Sequence, residues 1–351
     1  MDVDENKLNE FLGKAVGDLG AAMSATLMLV GDRLGLYREL ARGALSPSEL
    51  AERTGTDERY VREWLGNQGA GGYVEFDPAT DRWSLTPEQA ACLADPNGPV
   101  DLPGAYNLVE ATFHALTHTL ENFASGQGME WGEHHACLFE GTERFFRASY
   151  NANLIESWLP ALDGVVDKLT SGAKVGDVGC GHGASTILMA KTYPASQFVG
   201  YDYHGESIDV AREKAAAAGV AGNTRFEVAD AIGYEDEDFD LIAFFDCLHD
   251  MADPVTAARH AREALNGDGT AMIVEPFAND SVADNMTPVG RVMYGASTQI
   301  CVPVSLARNG PALGAQAGEA RLREVVVDGA GFARFRRATE TPFNLVLEAR
   351  P

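Results

Sequence analysis

The stretch FFDCLHDMADP, Phe244 to Pro254, ends an apolar run in an imidazole surrounded by acids. Asp246, Cys247, His249, Asp250 and Asp253 are groups that hold metals, move protons or cap helices. The set follows no recognised coordination spacing, so no metal is expected from it. A histidine, with an ordinary pKa of about 6.5, suits removal of a proton near neutral pH. The plainer alternative is a helix-start histidine with Asp250 as a capping acid.

A second stretch, KVGDVGCGHGAST, carries chemistry of another kind. A strand ends at Asp177, and Gly179, Cys180, Gly181, His182 and Gly183 turn into a helix. Glycines there let backbone approach a ligand closely, next to the partial positive charge of a helix start. Gly179, Gly181 and Ala184 also satisfy the dinucleotide fingerprint, so a nicotinamide cofactor is one reading. Three features favour another ligand. Asp177 would meet an ammonium but repel a pyrophosphate. VADA puts Asp230 and Ala231 at the end of a third strand, near an adenine edge. FFDCLHD ends a fourth. Asp202, about twenty residues past the loop and followed by Tyr203, suits ribose hydroxyls in either ligand class.

These residues need a frame. From Lys174 onward, short apolar runs alternate with helical stretches: KVGDVG, QFVGYD, TRFEVAD, DFDLIAFFD and GTAMIVEP, with FARFRRATET and FNLVLEA as a closing hairpin. That alternation predicts an α/β domain, a mostly parallel sheet covered by helices with an antiparallel last strand. About forty residues after the fifth strand, including Met286, Arg291, Met293 and Tyr294, lack periodicity and are expected to roof a substrate.

The N-terminal part differs. Leu8, Leu12, Val16, Leu19, Met23, Leu27, Val30 and Leu34 lie at helical spacing, interrupted by Gly13, Gly17, Gly20 and Gly31. The stripe serves either a partner subunit or ordinary internal packing. Then come a helix capped by Ser46 with Pro47 and Glu49, and a second helix with Tyr60, Val61, Trp64 and Leu65 facing inward. A hairpin of YVEF and RWSL follows, completing a winged-helix pattern. From Ser46 to Val100 ten acids face four arginines, and the whole chain carries a net charge of −25. Such a surface repels phosphate backbones, so no nucleic-acid partner is expected.

The glycine loop with Asp177, together with Asp202, Asp230 and the end of the fourth strand, resembles the class I S-adenosylmethionine-dependent methyltransferases. The resemblance covers roughly the last half of the chain. The winged helix ahead of it is similar to that of small-molecule O-methyltransferases of plants and actinobacteria, and of actinobacterial methyltransferases sometimes labelled transcriptional regulators. It implies a Rossmann-like domain over residues 126–351 that binds S-adenosylmethionine through Asp177, Gly179, Cys180, Gly181, Asp202, Tyr203, Asp230, Ala231 and Asp246. It also implies that residues 1–125 form a mainly helical domain that mediates homodimerisation and closes over the substrate. In the plant-type enzymes a His-Asp pair after the fourth strand contains the base. CLHD matches it and makes His249 the catalytic candidate, while MADP departs from the family's usual continuation. Glu275, in VEP, either orients His249 or faces the pocket.

The acceptor is expected to be small and aromatic or apolar, with O-methylation favoured. Phe146, Tyr150 and Tyr294 are its candidate contacts among Trp131, Phe139, Phe145 and Trp158. A regulator using the cofactor only as a signal, and a dinucleotide-dependent oxidoreductase, are the rival classes. His134, His135 and Cys137, and separately His114 and His118 one helical turn apart, are potential metal ligands. Adjacent histidines point apart and no second pair stands at zinc spacing, so no metal is expected there either. Five scattered cysteines without a CxxC pair, an acidic start and the absence of a long apolar run suit a cytoplasmic protein.

Overall fold

The computed structural model describes residues 3–96 and 98–351. Contacts divide it into two compact units. One takes in the chain up to Glu110 together with Glu140–Ala148; the other takes in Ala111–Phe139 and Ser149–Pro351.

The first unit begins with a single helix, Glu5–Arg33, capped by Asp4, whose side chain accepts from the backbone of Asn6 and Lys7. Its glycines do not interrupt it. Gly13, Gly17 and Gly20 face open space, whereas Gly31 lies under rings: a Cβ there would come within 2.5 Å of Trp64 and closer still to Tyr37. Helix Pro47–Thr54 starts in a capping box between Ser46 and Glu49, and Asp57 caps helix Glu58–Ala70. Strands β1 (Glu75–Asp77) and β2 (Arg82–Ser84) pair antiparallel as the wing. The core holds Met28, Leu36, Tyr37, Leu40, Leu50, Val61, Trp64 and Leu65. The Trp64 indole donates to the Leu27 carbonyl at 2.8 Å. Tyr60 does not face inward as its neighbours do: it is 79% exposed, because it falls off the face that carries Val61, Trp64 and Leu65. Arg144 also belongs here, gripping Asp101 through two nitrogens and Asp32 through a third.

The second unit is built on seven strands: β3 (Lys174–Val178), β4 (Gln197–Asp202), β5 (Thr224–Val228), β6 (Phe239–Phe245), β7 (Leu265–Pro276), β8 (Arg334–Glu340) and β9 (Asn344–Arg350). Their order is β5-β4-β3-β6-β7-β9-β8. Only β9 runs against its neighbours, pairing antiparallel with both β7 and β8. The chain runs outward from β3 to β5, then returns to place β6 on the other side of β3. That reversal opens a crevice at the carboxyl ends of β3 and β6, where open α/β sheets bind ligands. Leu241, Ile242, Ala243 and Phe244 are at most 1% exposed, as expected of a strand covered on both faces. Helix Pro254–Ala264 packs Ala257, Ala258 and Ala261 into this core.

The segment after β7 is more regular than its sequence suggests. Helices Pro288–Ala296 and Val302–Ala307 flank a π-helical turn at Ser297–Cys301, and Gly318–Arg323 follows. Proline in the first turn starts two of these helices, and the π turn between them shifts the apolar period.

Candidate active site

The loop after β3 is held from beneath by one carboxylate. Asp177 is fully buried, and its Oδ2 accepts from Ser185 Oγ at 2.7 Å and Thr186 Oγ1 at 2.5 Å. The Thr186 backbone N–H donates to the same carboxylate, so the first turn of helix Ala184–Thr192 already carries its negative charge. Burial raises the Asp177 pKa to about 6 against the pull of these donors, and its Oδ1 has no hydrogen-bond partner. The loop amides are also committed. Gly179 and Cys180 donate to the Tyr201 carbonyl, Gly181 donates to Asp202 Oδ2 at 2.9 Å, and Gly183 donates to the Cys180 carbonyl.

Two glycines here answer different needs. At Gly179, with φ +79°, a Cβ would sit 2.7 Å from Cys247 Sγ, so the loop can press against the end of β6 only without a side chain. Gly181, with φ +51°, has nothing within 4 Å of its would-be Cβ and borders open space beside Asp202. The Cys180 side chain turns inward and is buried.

Asp202 closes the loop's other side. Its Oδ1 accepts from the His204 backbone at 2.9 Å, and burial raises its pKa. A carboxylate with one backbone donor on each oxygen retains lone pairs for ligand hydroxyls. Tyr203 is 40% exposed, and Arg308 lies over its ring, 4.9 Å from the centroid. The same guanidinium donates to Asp230 Oδ2 at 2.8 Å. The structure thus gathers Tyr203, Asp230 and a third residue, Arg308, that sequence reasoning missed; it lies 78 residues from Asp230 in a stretch without recognisable pattern. Ala231, beside Asp230, packs half-buried against the sheet core.

The end of β6 is an acid-lined corner. Asp246 adopts φ +52°, a left-handed conformation that asparagine and aspartate tolerate best after glycine. Its Oδ1 accepts from Asn344 Nδ2 at 2.9 Å and its Oδ2 from Tyr150 OH at 3.2 Å. Burial, and then the nearby Glu275, push its pKa well above the carboxylate range. Asp250 is raised to about 7, by burial first and with Glu275 adding repulsion. It caps nothing: the cap of helix Pro254–Ala264 is Asp253, which accepts from the Thr256 backbone at 2.9 Å.

His249 sits within this corner, 3% exposed, with Nδ1 hydrogen-bonded to Glu275 Oε2. Glu275 is itself fixed, since its Oε1 accepts from the Leu248 backbone at 2.9 Å. Burial works against the imidazolium, but the charge of Glu275 and a hydrogen bond with Cys301 outweigh it and raise the His249 pKa well above its ordinary value. Glu275 therefore touches His249, and Cys301 is a second neighbour that no spacing in the sequence betrayed.

The substrate candidates fall in both units. Tyr150 is buried against Phe245, with ring centroids 5.2 Å apart, and reaches Asp246. Tyr294 is half-buried on helix Pro288–Ala296. Phe146 packs on Phe145 within the first unit.

Residues 169–313 match the family model described as a methyltransferase domain, and residues 22–95 match the Rv2258c-like winged HTH domain. The chain carries a methyltransferase domain behind a winged helix. Among curated relatives, O-methyltransferase SfmM3 of Streptomyces lavendulae is 28% identical over 74% of this chain and 79% of its own length. The 27-O-demethylrifamycin SV methyltransferase of Amycolatopsis mediterranei is 27% identical, and the match spans 46% of this chain and 57% of that enzyme. Two solved structures share the fold across nearly the whole of both chains. Human N-acetylserotonin methyltransferase, in complex with SAM, has a TM-score of 0.72 at 16% identity, covering 100% of this chain and 99% of its own. Mitomycin 7-O-methyltransferase MmcR has 0.69 at 19%, covering 99% and 100%. The class I methyltransferase sheet and the winged helix expected from the sequence are both present. No helix among the described residues is long and apolar enough to cross a membrane.

The buried acid of the methyltransferase domain leads to a pH prediction. Asp177 has its pKa raised from 3.8 to about 6, so its contribution to stability is complete below about pH 3.8 and is lost as pH rises through 6. Asn at this position keeps an acceptor for Ser185 and Thr186 but does not titrate. Urea unfolding between pH 4 and 7 should show the wild type losing on the order of 3 kcal/mol relative to Asp177→Asn. Parallel stability curves would show that the acid is not perturbed.

Proposed function

We propose that this chain is an S-adenosylmethionine-dependent methyltransferase acting on a small aromatic or apolar acceptor, with transfer to oxygen favoured. The observation that carries the reading is the way the glycine loop spends its donors. A dinucleotide pyrophosphate needs free amides at the helix start, but Asp177 already takes the first turn and Asp202 takes Gly181. What the site offers instead is acceptors: the donorless Oδ1 of Asp177 for an ammonium, and Asp202 for ribose hydroxyls. Asp230 and Ala231 border the adenine side, and Asp246 the wall toward the acceptor. S-adenosylmethionine, when bound, supplies a methyl group on a sulfonium. A surround of carboxylates favours that cation.

The chain's own part is to orient the acceptor and take its proton. Glu275 fixes the His249 ring through Nδ1, and the imidazole is the group that takes the hydroxyl proton. The acceptor oxygen then bonds to the methyl carbon as the carbon–sulfur bond breaks, and the proton leaves by way of His249. Because the imidazole pKa is raised, the base is available only as pH rises above the ordinary histidine value. Aromatic residues near this corner, Tyr150 and Phe245, suit a flat acceptor, with Tyr294 as a further contact. O-methyltransferase SfmM3, matched over 79% of its own length, supports oxygen as the acceptor atom.

The winged helix serves assembly and substrate closure in this reading, not duplex binding. The arginines of helix Glu58–Ala70 are consumed by its own acids, Arg62 by Glu58 and Arg59 by Glu63, so few cations remain for phosphates. Helix Glu5–Arg33 leaves Phe11, Val16, Leu19 and Met23 between 63% and 72% exposed, an apolar stripe that a second copy of the chain covers in a homodimer.

Titration calorimetry separates the cofactor classes. S-adenosylmethionine and its demethylated product should bind and NADH should not, and Asp202→Ala should weaken binding at least tenfold; preferential binding of NADH would sink the proposal. For the base, NMR titration of the imidazoles should place His249 above 6.5 and bring it down in Glu275→Gln. His249→Gln should bind cofactor normally and lose at least a hundredfold in turnover; full turnover would remove His249 from the chemistry. For assembly, sedimentation of the wild type should give twice the chain mass, and Leu12→Asp with Val16→Asp should give one; a monomeric wild type would refute the dimer.

A further inference from the structure

Four of the chain's eight histidines fall in two short segments, His114 with His118 and His134 with His135, and Cys137 lies just beyond. As sequence they form no ligand pattern. The fold brings the end of helix Leu102–His114 against the turn Trp131–Glu133, and the two segments meet there. The rings of His114 and His135 stack with centroids 3.9 Å apart, and His135 Nδ1 lies 3.0 Å from Cys137 Sγ. One ligand atom each from His114, His135 and Cys137 fall within 4.8 Å of one another.

We propose that His114, His135 and Cys137 bind a divalent transition ion of the zinc class, with water at the fourth position. Two imidazoles and a thiolate are a borderline-soft donor set that zinc and its neighbours favour over magnesium or calcium. Bond lengths of about 2.0–2.1 Å to nitrogen and 2.3 Å to sulfur require ligand atoms roughly 3.3–3.7 Å apart. Both histidines are exposed, so their side chains can rotate to close the remaining gap, while buried Cys137 supplies the fixed point. Binding releases the thiol proton, since the metal takes sulfur as thiolate.

A second observation points the same way. His134, in the same turn, is buried with its Nε2 unpartnered. An ion here would also brace the turn that supports the candidate active site. Trp131 packs on Phe139 at 5.3 Å, and Phe139 packs at 5.0 Å on His204, whose backbone is held by Asp202. The binding itself does not depend on the methyltransferase reading.

The test uses the full chain, treated with chelator and titrated with Co²⁺, then with Zn²⁺ in competition. One equivalent of Co²⁺ should give the visible bands of a tetrahedral site and a thiolate-to-cobalt charge-transfer band, both displaced by Zn²⁺. His114→Ala and His135→Ala, at exposed positions, should each weaken binding at least tenfold, and Cys137→Ser should remove the charge-transfer band. Cys92→Ser should leave the titration unchanged. Absence of the thiolate band at one equivalent, its survival in Cys137→Ser, or indifference to the two alanine variants would overturn the site.

Discussion

The arrangement at the crevice depends on the burial of one carboxylate. Taking Asp177 out of water costs several kcal/mol, and the expense is tolerated because three donors from one helical turn meet it: two hydroxyls and the Thr186 amide. Those bonds fix the start of helix Ala184–Thr192 against the end of β3. With the helix fixed, the intervening residues must turn tightly, which accounts for the positive φ of Gly179, Gly181 and Gly183. The same turn directs the Gly181 amide at Asp202 and so fixes that carboxylate as well. Strand, loop, helix and neighbouring strand are thus coupled through one side chain at the sheet's centre.

A comparable economy holds at the end of β6. Glu275, on the adjacent β7, uses one oxygen to hold the Leu248 backbone and the other to hold the His249 ring. The turn and the imidazole are therefore positioned by the same group, and neither moves without the other. Asp246 is held just as firmly, from Tyr150 before the sheet and Asn344 at the start of its last strand, across 96 and 98 residues. These long-range bonds make the corner rigid although it lies at the end of a strand, where backbone is usually free to fray.

What was legible in the sequence was whatever local chemistry dictates. The glycine loop, the strand ends at Asp202 and Phe245, and the capping box at Ser46 are set by residues within a few positions of one another and appear where their patterns put them, while β3 runs one residue past Asp177 to Val178. Contacts made by long-range folding were invisible. Arg308 on Asp230, Cys301 on His249 and His114 on His135 each join segments with no shared period. The roof after β7 read as patternless because a π turn and two prolines break the helical phase. Tyr60 differs for another reason: the buried face of its helix, with Val61, Trp64, Leu65 and Gln68, is centred on Val61 and Gln68, and Tyr60 lies about a quarter turn away, outside it.

The acid-rich wall bears on turnover as well as on recognition. Asp177, Asp202, Asp246, Asp250 and Glu275 gather at or just beyond the carboxyl ends of β3, β4, β6 and β7, most of them fixed by hydrogen bonds. Under the proposed function, the ligand enters with a cationic sulfonium and leaves as a neutral thioether. Attraction to the wall is therefore strongest before transfer and falls once the methyl group has moved. The raised pKa values of Asp246 and Asp250 temper this. Carboxyls whose pKa is raised hold their protons more readily, and a bound cation favours their ionisation. The same groups can thus bear the cost of an unoccupied site and still discriminate between a charged donor and its uncharged product.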